Sequence, residues 1–265
     1  MITSTSNSQI RHVAMLQKKA RYRNSEGQFV AEGIKMVLET PPELLSRIYV
    51  SEDFQPEKQV RAWLSDKSCE VVSSKVFKEL SMTQTPQGIL AVVHMRRPTP
   101  EEILSSGACF LILENLQDPG NLGTIIRTAE GAGIDGIFMN KTCVDIYNPK
   151  VVRSTMGSLY RVPFVYTDDL QSLIKNMKTR GVRLFAAHLK GEKAYYEENL
   201  SGPCAFLIGN EANGLSDETA ALADVYIKIP MLGKVESLNA AMAAGILMYE
   251  MRRQKATAHL GNHHP

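Results

Sequence analysis

The sequence has little that would tie it to a metal, a disulfide scaffold or a membrane. Its 265 residues include four cysteines, Cys69, Cys109, Cys143 and Cys204, with no CxxC spacing. Neither a disulfide framework nor a zinc site is indicated. Cys109 and Cys204 fall in apolar, strand-like runs and read as packed thiols. The six histidines form no HExxH pair, and His263 and His264 fall at the end of the chain. No resident metal is expected. No apolar run reaches the ~18 uninterrupted residues of a membrane span, and the opening ITSTSNSQ is polar, unlike a secretory signal. A cytoplasmic protein without a membrane partner follows as the expectation. Aromatic residues make up 7%, and Trp63, the one tryptophan, reads as a packing residue.

What is present is an ordinary globular composition, 44% hydrophobic, long enough for about two domains. The net charge of +2 is unevenly spread: the first 100 residues are net basic and the remainder net acidic. The first 25 residues hold Arg11, Lys18, Lys19, Arg21 and Arg23 and no acid. Such a stretch can contact phosphates, although a solvated helix face has the same composition.

Periodicity divides the chain. Residues 8–23 carry apolar positions at helical spacing, with Ile10, Val13, Met15 and Leu16 on one side. Short strands at 29–33, 47–51, 70–73 and 88–95 and intervening helices predict a small α/β domain over 1–97. Arg97-Pro98-Thr99-Pro100 stiffens the chain and marks a linker over 98–106. A second domain over 107–254 alternates strands at 109–114, 136–140, 162–166, 182–187, 204–209 and 225–230 with helices at 122–131, 149–157, 168–179, 216–223 and 236–254. Nearly continuous apolar strands alternating with helices imply a parallel sheet covered on both faces. Residues 255–265 are expected to form a disordered tail.

Gly131, Gly133 and Gly136 spell a G-x-G-x-x-G pattern. A dinucleotide site requires a strand before the glycines and a helix after them. Here the predicted order is reversed, so the glycines are expected to end a helix and lead into a strand.

Three separated segments carry the chemistry: LENLQDPGNLGTIIRTAEGAG at 113–133, FLIGNEANGLSDE at 206–218 and YIKIPMLGKVESLNAAMAAGILMYEM at 226–251. Each reads as a buried strand, a loop rich in glycine and polar residues, and a helix. Loops at the carboxyl ends of parallel strands are where open α/β sheets bind ligands. The polar residues these loops offer are Asn121, Arg127, Glu211, Ser237 and Asn239. All but Asn239 have a plain structural alternative. Asn121 is placed to cap a helix, as are Ser237 and Glu236; Arg127 can pair with Glu130 on its own helix; Glu211 can be a solvated loop acid. Gly209 lets a ligand approach the backbone. The small residues of the last helix suit close packing in a core or at a dimer interface.

Together the three segments resemble the signature motifs of the SpoU–TrmH family of RNA ribose 2′-O-methyltransferases, in the SPOUT class. The motifs are Asn121-Leu122-Gly123 through Arg127-Thr128-Ala129, Gly209-Asn210-Glu211, and Ile229-Pro230-Met231 through Ser237-Leu238-Asn239. The resemblance spans roughly 105–252; Ala212 departs from it, standing where relatives often carry glycine. The part before residue 98 is more loosely similar to the family's substrate-binding domain. The resemblance implies a parallel-sheet methyltransferase domain whose C-terminal part is tied in a deep trefoil knot, preceded by a small α/β domain that binds substrate RNA. It also implies a homodimer, and S-adenosylmethionine held by backbone groups at Ile208, Gly209, Ile229, Met231 and Leu238. Arg127 would stand at the target ribose with Asn121, Glu211, Ser237 and Asn239 around it. The charge pattern, separately, offers Arg11, Lys18, Lys19, Arg21 and Arg23 as RNA contacts. Ribosomal RNA is the expected substrate. Transfer RNA and a catalytically silent RNA-binding assembly factor are the alternatives.

Overall fold

A computed structural model of the chain describes residues 1–261, with side chains through residue 258. They form two compact units: Met1–Arg96 together with Asp145–Tyr160, and Arg97–Val144 together with the chain from Arg161 onward.

The first unit begins with α1 (Ser8–Lys18), α2 (Ala20–Glu26), β1 (Gln28–Glu32), α3 (Ile34–Leu38), β2 (Leu45–Ser51), α4 (Lys58–Leu64), β3 (Cys69–Val72), α5 (Ser74–Leu80) and β4 (Ile89–His94). The sheet order is β1-β4-β2-β3, with β4 antiparallel to β1 and β2, and β3 parallel to β2. Ile10, Val13 and Leu16 of α1 and Val76, Phe77 and Leu80 of α5 pack with Tyr49, Leu90 and Val92 of the sheet. The single helix expected over 8–23 is broken at Lys19, whose backbone is extended. Arg23 follows the break and is buried at 4% exposure. It donates to the carbonyls of Leu16 (2.7 Å) and Gln17 (3.2 Å) and pairs with Asp145. Carbonyls in the last turn of a helix lack intrahelical partners, and this guanidinium supplies them. Arg23 is therefore a structural clamp and not an RNA contact. Arg11, Lys18, Lys19 and Arg21 are exposed.

The remaining elements are α6 (Pro100–Ser106), β5 (Cys109–Leu113), α7 (Pro119–Ala132), β6 (Gly136–Asn140), α8 (Pro149–Ser154), β7 (Phe164–Thr167), α9 (Leu170–Thr179), β8 (Arg183–Ala187), β9 (Lys193–Ala194), β10 (Cys204–Ile208), α10 (Asp217–Ala220), β11 (Val225–Lys228) and α11 (Ala240–Gly261). Of these, α8 belongs to the first unit. Its segment is held there by the Arg23–Asp145 pair, by Phe29 against Tyr147 (ring centroids 4.7 Å apart) and by a hydrogen bond from Thr40 Oγ1 to the Tyr160 hydroxyl (2.9 Å). A division at one linker misses this segment, because polar and aromatic contacts across distant positions leave no local pattern.

The second unit is a seven-stranded sheet in the order β7-β6-β5-β10-β8-β11-β9, with every pair parallel. Its central strands are fully buried, as the continuous apolar runs CFLIL and CAFLI require. The expected linker instead contains α6, started by a capping box: Thr99 Oγ1 accepts from Glu102 N (3.2 Å) and Glu102 Oε2 accepts from Thr99 N (2.6 Å). The last helix starts at Ala240, not near residue 236, and continues to Gly261 through much of the expected disordered tail. Gln254 and Lys255 hold it by bonds to Glu198 O (3.0 Å) and Ser201 O (3.0 Å). Residues 262–265 lie outside the described residues. Gly133 adopts φ 72° and closes α7, with Gly133 N donating to Glu130 O (3.1 Å) and Ile134 N to Ala129 O (2.9 Å). The glycine pattern thus ends a helix ahead of β6, as the sequence predicts.

Candidate active site

The sheet order brings the three segments to one edge. β5 and β10 are neighbours, and β11 lies one strand away across β8. All run the same way, so the loops after Leu113, Ile208 and Lys228 leave from the same end of the sheet. The loop after β8 leaves between the last two. His188 sits there, its ring 5.0 Å from that of Tyr226 and its Nδ1 accepting from Lys190 N (3.1 Å). That loop carries no motif, and only the strand order reveals it as part of this edge.

Glu211 sits among donors. It accepts from Asn121 Nδ2 (2.9 Å), Asp118 N (3.1 Å) and Gln117 N (3.3 Å). A carboxylate can only accept, so Asn121 presents its amide nitrogen here and its oxygen on the other side. That oxygen accepts from Asn239 Nδ2 at 2.8 Å. Asn239 in turn has only its own oxygen left, and this accepts from Ala241 N (2.9 Å) and Met242 N (3.2 Å). The bonds therefore run in one direction from the start of α11 through Asn239 and Asn121 to Glu211. Partial desolvation pushes the Glu211 carboxyl up. The Asn121 side chain and the nearby backbone N–H groups outweigh it, and the net shift is below the usual carboxylate range.

Two expected helix caps change owner. Asp118 caps α7 by accepting from Asn121 N (2.7 Å), with Pro119 in the first turn. Asn121 is freed to bond across loops. Asn239 caps α11 in place of Ser237 or Glu236. Ser237 is exposed and makes no hydrogen bond among the described residues.

Arg127 is not drawn into the cluster. It lies six residues along α7 from Asn121, about 9 Å further at 1.5 Å per residue, and is exposed. It does not pair with Glu130, which is held by Arg161 (Nη2 to Oε2, 3.2 Å). Neighbouring positions of α7 face α11: Gly131 lies under the Tyr249 hydroxyl and Thr128 beside Gly245. Arg127 thus projects from the rim of the α7–α11 contact as a cation without an acidic partner among the described residues.

The expected cofactor positions divide. Ile208 is buried at the end of β10, and its carbonyl already accepts from Glu114 N (2.9 Å). Gly209 is required by its own loop: a Cβ there would lie 2.0 Å from the Gly214 carbonyl carbon. Asn210 and Gly214 close that loop by exchanging backbone bonds of 2.9 Å each. The tight loop closure by itself thus requires glycine at 209. Ile229, Met231 and Leu238 are half-buried, and the stretch from Met231 to Leu238 makes no hydrogen bond to the rest of the described chain. Its backbone N–H and C=O groups are free to serve a ligand, which fits a cofactor held by backbone groups.

Sequence reasoning also missed an amide network below the cluster. Asn210 Nδ2 donates to Asn115 O (2.7 Å), Asn140 Nδ2 to Asn115 Oδ1 (2.8 Å) and Asn115 N to Asn140 Oδ1 (2.9 Å). These side chains fasten the ends of β5, β6 and β10 together. Asparagine at strand ends usually reads as turn chemistry, so the sequence signal was absorbed by that reading.

The chain matches the SpoU rRNA Methylase family over residues 108–249 and the MRM3-like substrate binding domain over residues 7–91. It is 33% identical over 253 residues to the 23S rRNA (guanosine(2553)-2′-O)-methyltransferase RlmP of Bacillus subtilis, an alignment covering 95% of this chain and 98% of that protein. The SpoU methyltransferase AviRb of Streptomyces viridochromogenes, solved with the cofactor AdoMet, is similar with a TM-score of 0.84 and 26% identity, over 95% of this chain and 100% of AviRb. An AdoMet-bound rRNA methyltransferase from Sinorhizobium meliloti gives a TM-score of 0.82 and 30% identity, over 95% of this chain and 97% of that one.

Proposed function

The chain belongs to the SpoU rRNA methylase family, and from that premise we propose that it transfers the methyl group of S-adenosylmethionine to a ribose 2′-hydroxyl of ribosomal RNA. The observation that carries the reading is the one-way pair of bonds from Asn239 to Asn121 and from Asn121 to Glu211, which unites the three motif segments at one edge of a parallel sheet.

S-adenosylmethionine supplies, when bound, a methyl group already activated on a sulfonium. What the chain must add is alignment and charge. Holding two reactants in line can contribute about 7–11 kcal/mol, and one well-placed donor to a developing oxyanion about 2.7–4 kcal/mol. Arg127 is the residue for the second task. A guanidinium is a poor proton acceptor, so Arg127 acts as a cation that orients a phosphate and stabilises the ribose alkoxide, while the proton leaves to phosphate or water. Asn121, Glu211 and Asn239 keep the loops in register. Ser237 is assigned to the ribose side of the site, where its exposed hydroxyl is available. Gly209, Ile229, Met231 and Leu238 line the cofactor, with Ile208 beneath them.

The same reading extends to the rest of the molecule. The unit that matches the substrate binding domain holds the RNA, with Arg11, Lys18, Lys19 and Arg21 as its phosphate contacts. The late strand β10 lies between β5 and β8, with β11 beyond β8; this order supports the trefoil knot implied by the resemblance. A homodimer is supported by α11, whose exposed Met242 and Tyr249 lie on one stripe seven residues apart. Leu232 and Val235 in the preceding loop are also exposed. No described helix is long and apolar enough to cross a membrane, and the cytoplasm is the proposed location.

The test is incubation with labelled S-adenosylmethionine and total RNA from a strain lacking the protein, followed by mapping of 2′-O-methyl sites. Label in ribosomal RNA is expected. Label confined to transfer RNA would replace the substrate class, and none in any RNA would favour a silent binding protein.

A further inference from the structure

Glu114 lies in the first of the three segments, next to the loop that carries Glu211. It follows β5 directly and is buried at 6% exposure. One carboxylate oxygen accepts from Ser216 N (2.8 Å); the other accepts from Ser216 Oγ (2.8 Å) and Thr219 Oγ1 (2.5 Å). Its own N–H donates to Ile208 O (2.9 Å). Ile208 is the last residue before the 209–215 loop and Ser216 the first after it. A single residue at the end of β5 thus fastens both ends of the loop.

A merely structural account does not explain the acid. α10 is only four residues long, and Ser216 already caps it by accepting from Thr219 N (3.1 Å). No cation pairs with Glu114 among the described residues. Burying a carboxylate without a counter-charge is costly unless donors surround it, so its presence calls for something the three donors achieve. Between the fastened ends, the Asn210–Gly214 closure and the Asn210–Asn115 bond fix the loop backbone. The Glu211 side chain projects from it to Asn121.

We propose that Glu114 is a positioning residue for the methyl transfer: by holding both ends of the 209–215 loop to β5, it fixes the backbone that receives S-adenosylmethionine and aims Glu211 at Asn121. The inference rests on the proposed function, since it assigns the loop to that cofactor. Glu114 acts only through the loop and touches no reacting atom. The acid matters because it can take three donors at once. A glutamine can still take the Ser216 N–H with its oxygen and meet the two hydroxyls with its N–H₂ once they reverse, but it loses the stronger bonds that an ionised acceptor makes, so it holds the loop less well at nearly the same size.

The test compares wild type, Glu114→Gln and Thr219→Val as full-length proteins. Calorimetry would measure binding of S-adenosylmethionine and of S-adenosylhomocysteine. Hydrogen exchange would follow the 209–219 amides, and steady-state kinetics would give both KM values. Glu114→Gln is expected to weaken both ligands by about tenfold, the size of one lost hydrogen bond to a charged group. Exchange should quicken within 209–219 and nowhere else. KM for S-adenosylmethionine should rise while KM for RNA stays within about twofold, a split that general destabilisation would not produce. Thr219→Val, which removes one of the three donors, should shift the same quantities less. Wild-type affinity and exchange in Glu114→Gln would overturn the inference, and so would global loosening with both KM values raised alike. Failure of the wild type to bind S-adenosylmethionine would instead overturn the proposed function, and the positioning role with it.

Discussion

Asn239 donates to Asn121 at 2.8 Å across 118 positions of sequence, and it can do so only because its own oxygen is committed to the first turn of α11. Helix start and active-site contact are thus one side chain, and substitutions separate the two roles. Asn239→Ala should cost about 0.5–2 kcal/mol through the lost cap and also lose activity. Asn239→Asp keeps the capping oxygen but sets a second acceptor against Asn121 Oδ1. Melting near the wild-type temperature with strongly reduced single-turnover methylation is expected. Full activity in the aspartate variant would make the link incidental.

Arg127→Ala should leave S-adenosylmethionine affinity nearly intact while turnover falls on the order of 100- to 1,000-fold, as for the loss of one transition-state contact. The residue is exposed and bonds to nothing among the described residues, so its removal should not disturb the fold. Arg127→Lys should rescue poorly, because a lysine loses the planar fork that grips a phosphate with two hydrogen bonds. Wild-type rates for Arg127→Ala would remove it from the site.

The depressed pKa of Glu211 sets a pH window. A carboxyl whose folded pKa lies below its unfolded value contributes fully above the ordinary value of about 4.3 and loses its contribution as pH falls through the lower folded value. Stability measured by denaturant unfolding should therefore be insensitive to Glu211 between about pH 8 and pH 5 and should fall only in more acid solution. Glu211→Gln should flatten that acid limb; an unaltered limb would assign it to another group.

The basic N-terminal stretch should divide in two. Changing Lys18, Lys19 and Arg21 to alanine should reduce the slope of log K for RNA against log salt by about 0.7–0.9 per lost phosphate contact, with stability little altered. Arg23→Ala should behave oppositely, since it strands two carbonyls and Asp145. A loss of about 1.5–3 kcal/mol in denaturant unfolding is expected. Filter binding of the triple variant with an unchanged slope would mark those cations as a solvated face.

Light scattering at micromolar concentration should report a dimer of the 29.4 kDa chain. Met242 is 59% exposed, so Met242→Glu should spare the fold and shift the mass toward the monomer. An active wild-type monomer would contradict the dimer.

Much of the fold was legible because its signals are local. The runs CFLIL and CAFLI announce buried parallel strands, and Gly133 announces the end of α7. The candidate site was legible more coarsely. Asn121, Glu211 and Asn239 were identified, and the structure joins them. Their caps were misassigned because Asp118, Asn121, Ser237 and Asn239 all have capping chemistry, and a sequence does not say which one the backbone geometry will use. Arg23 looked like its exposed basic neighbours; the extended backbone at Lys19 and the distant Asp145 turned it inward.

By itself the sequence determined the alternation of strands and helices, the parallel sheet, and which residue types stand at its loop edge, since hydrophobic period and turn chemistry act over a few residues. Tertiary structure alone decided the order β5-β10-β8-β11, the return of residues 145–160 to the first unit, and the fastening of one loop by Glu114. Those outcomes depend on which distant donors and acceptors meet once apolar faces are buried, and a buried polar group is satisfied by whatever partner the packing brings to it.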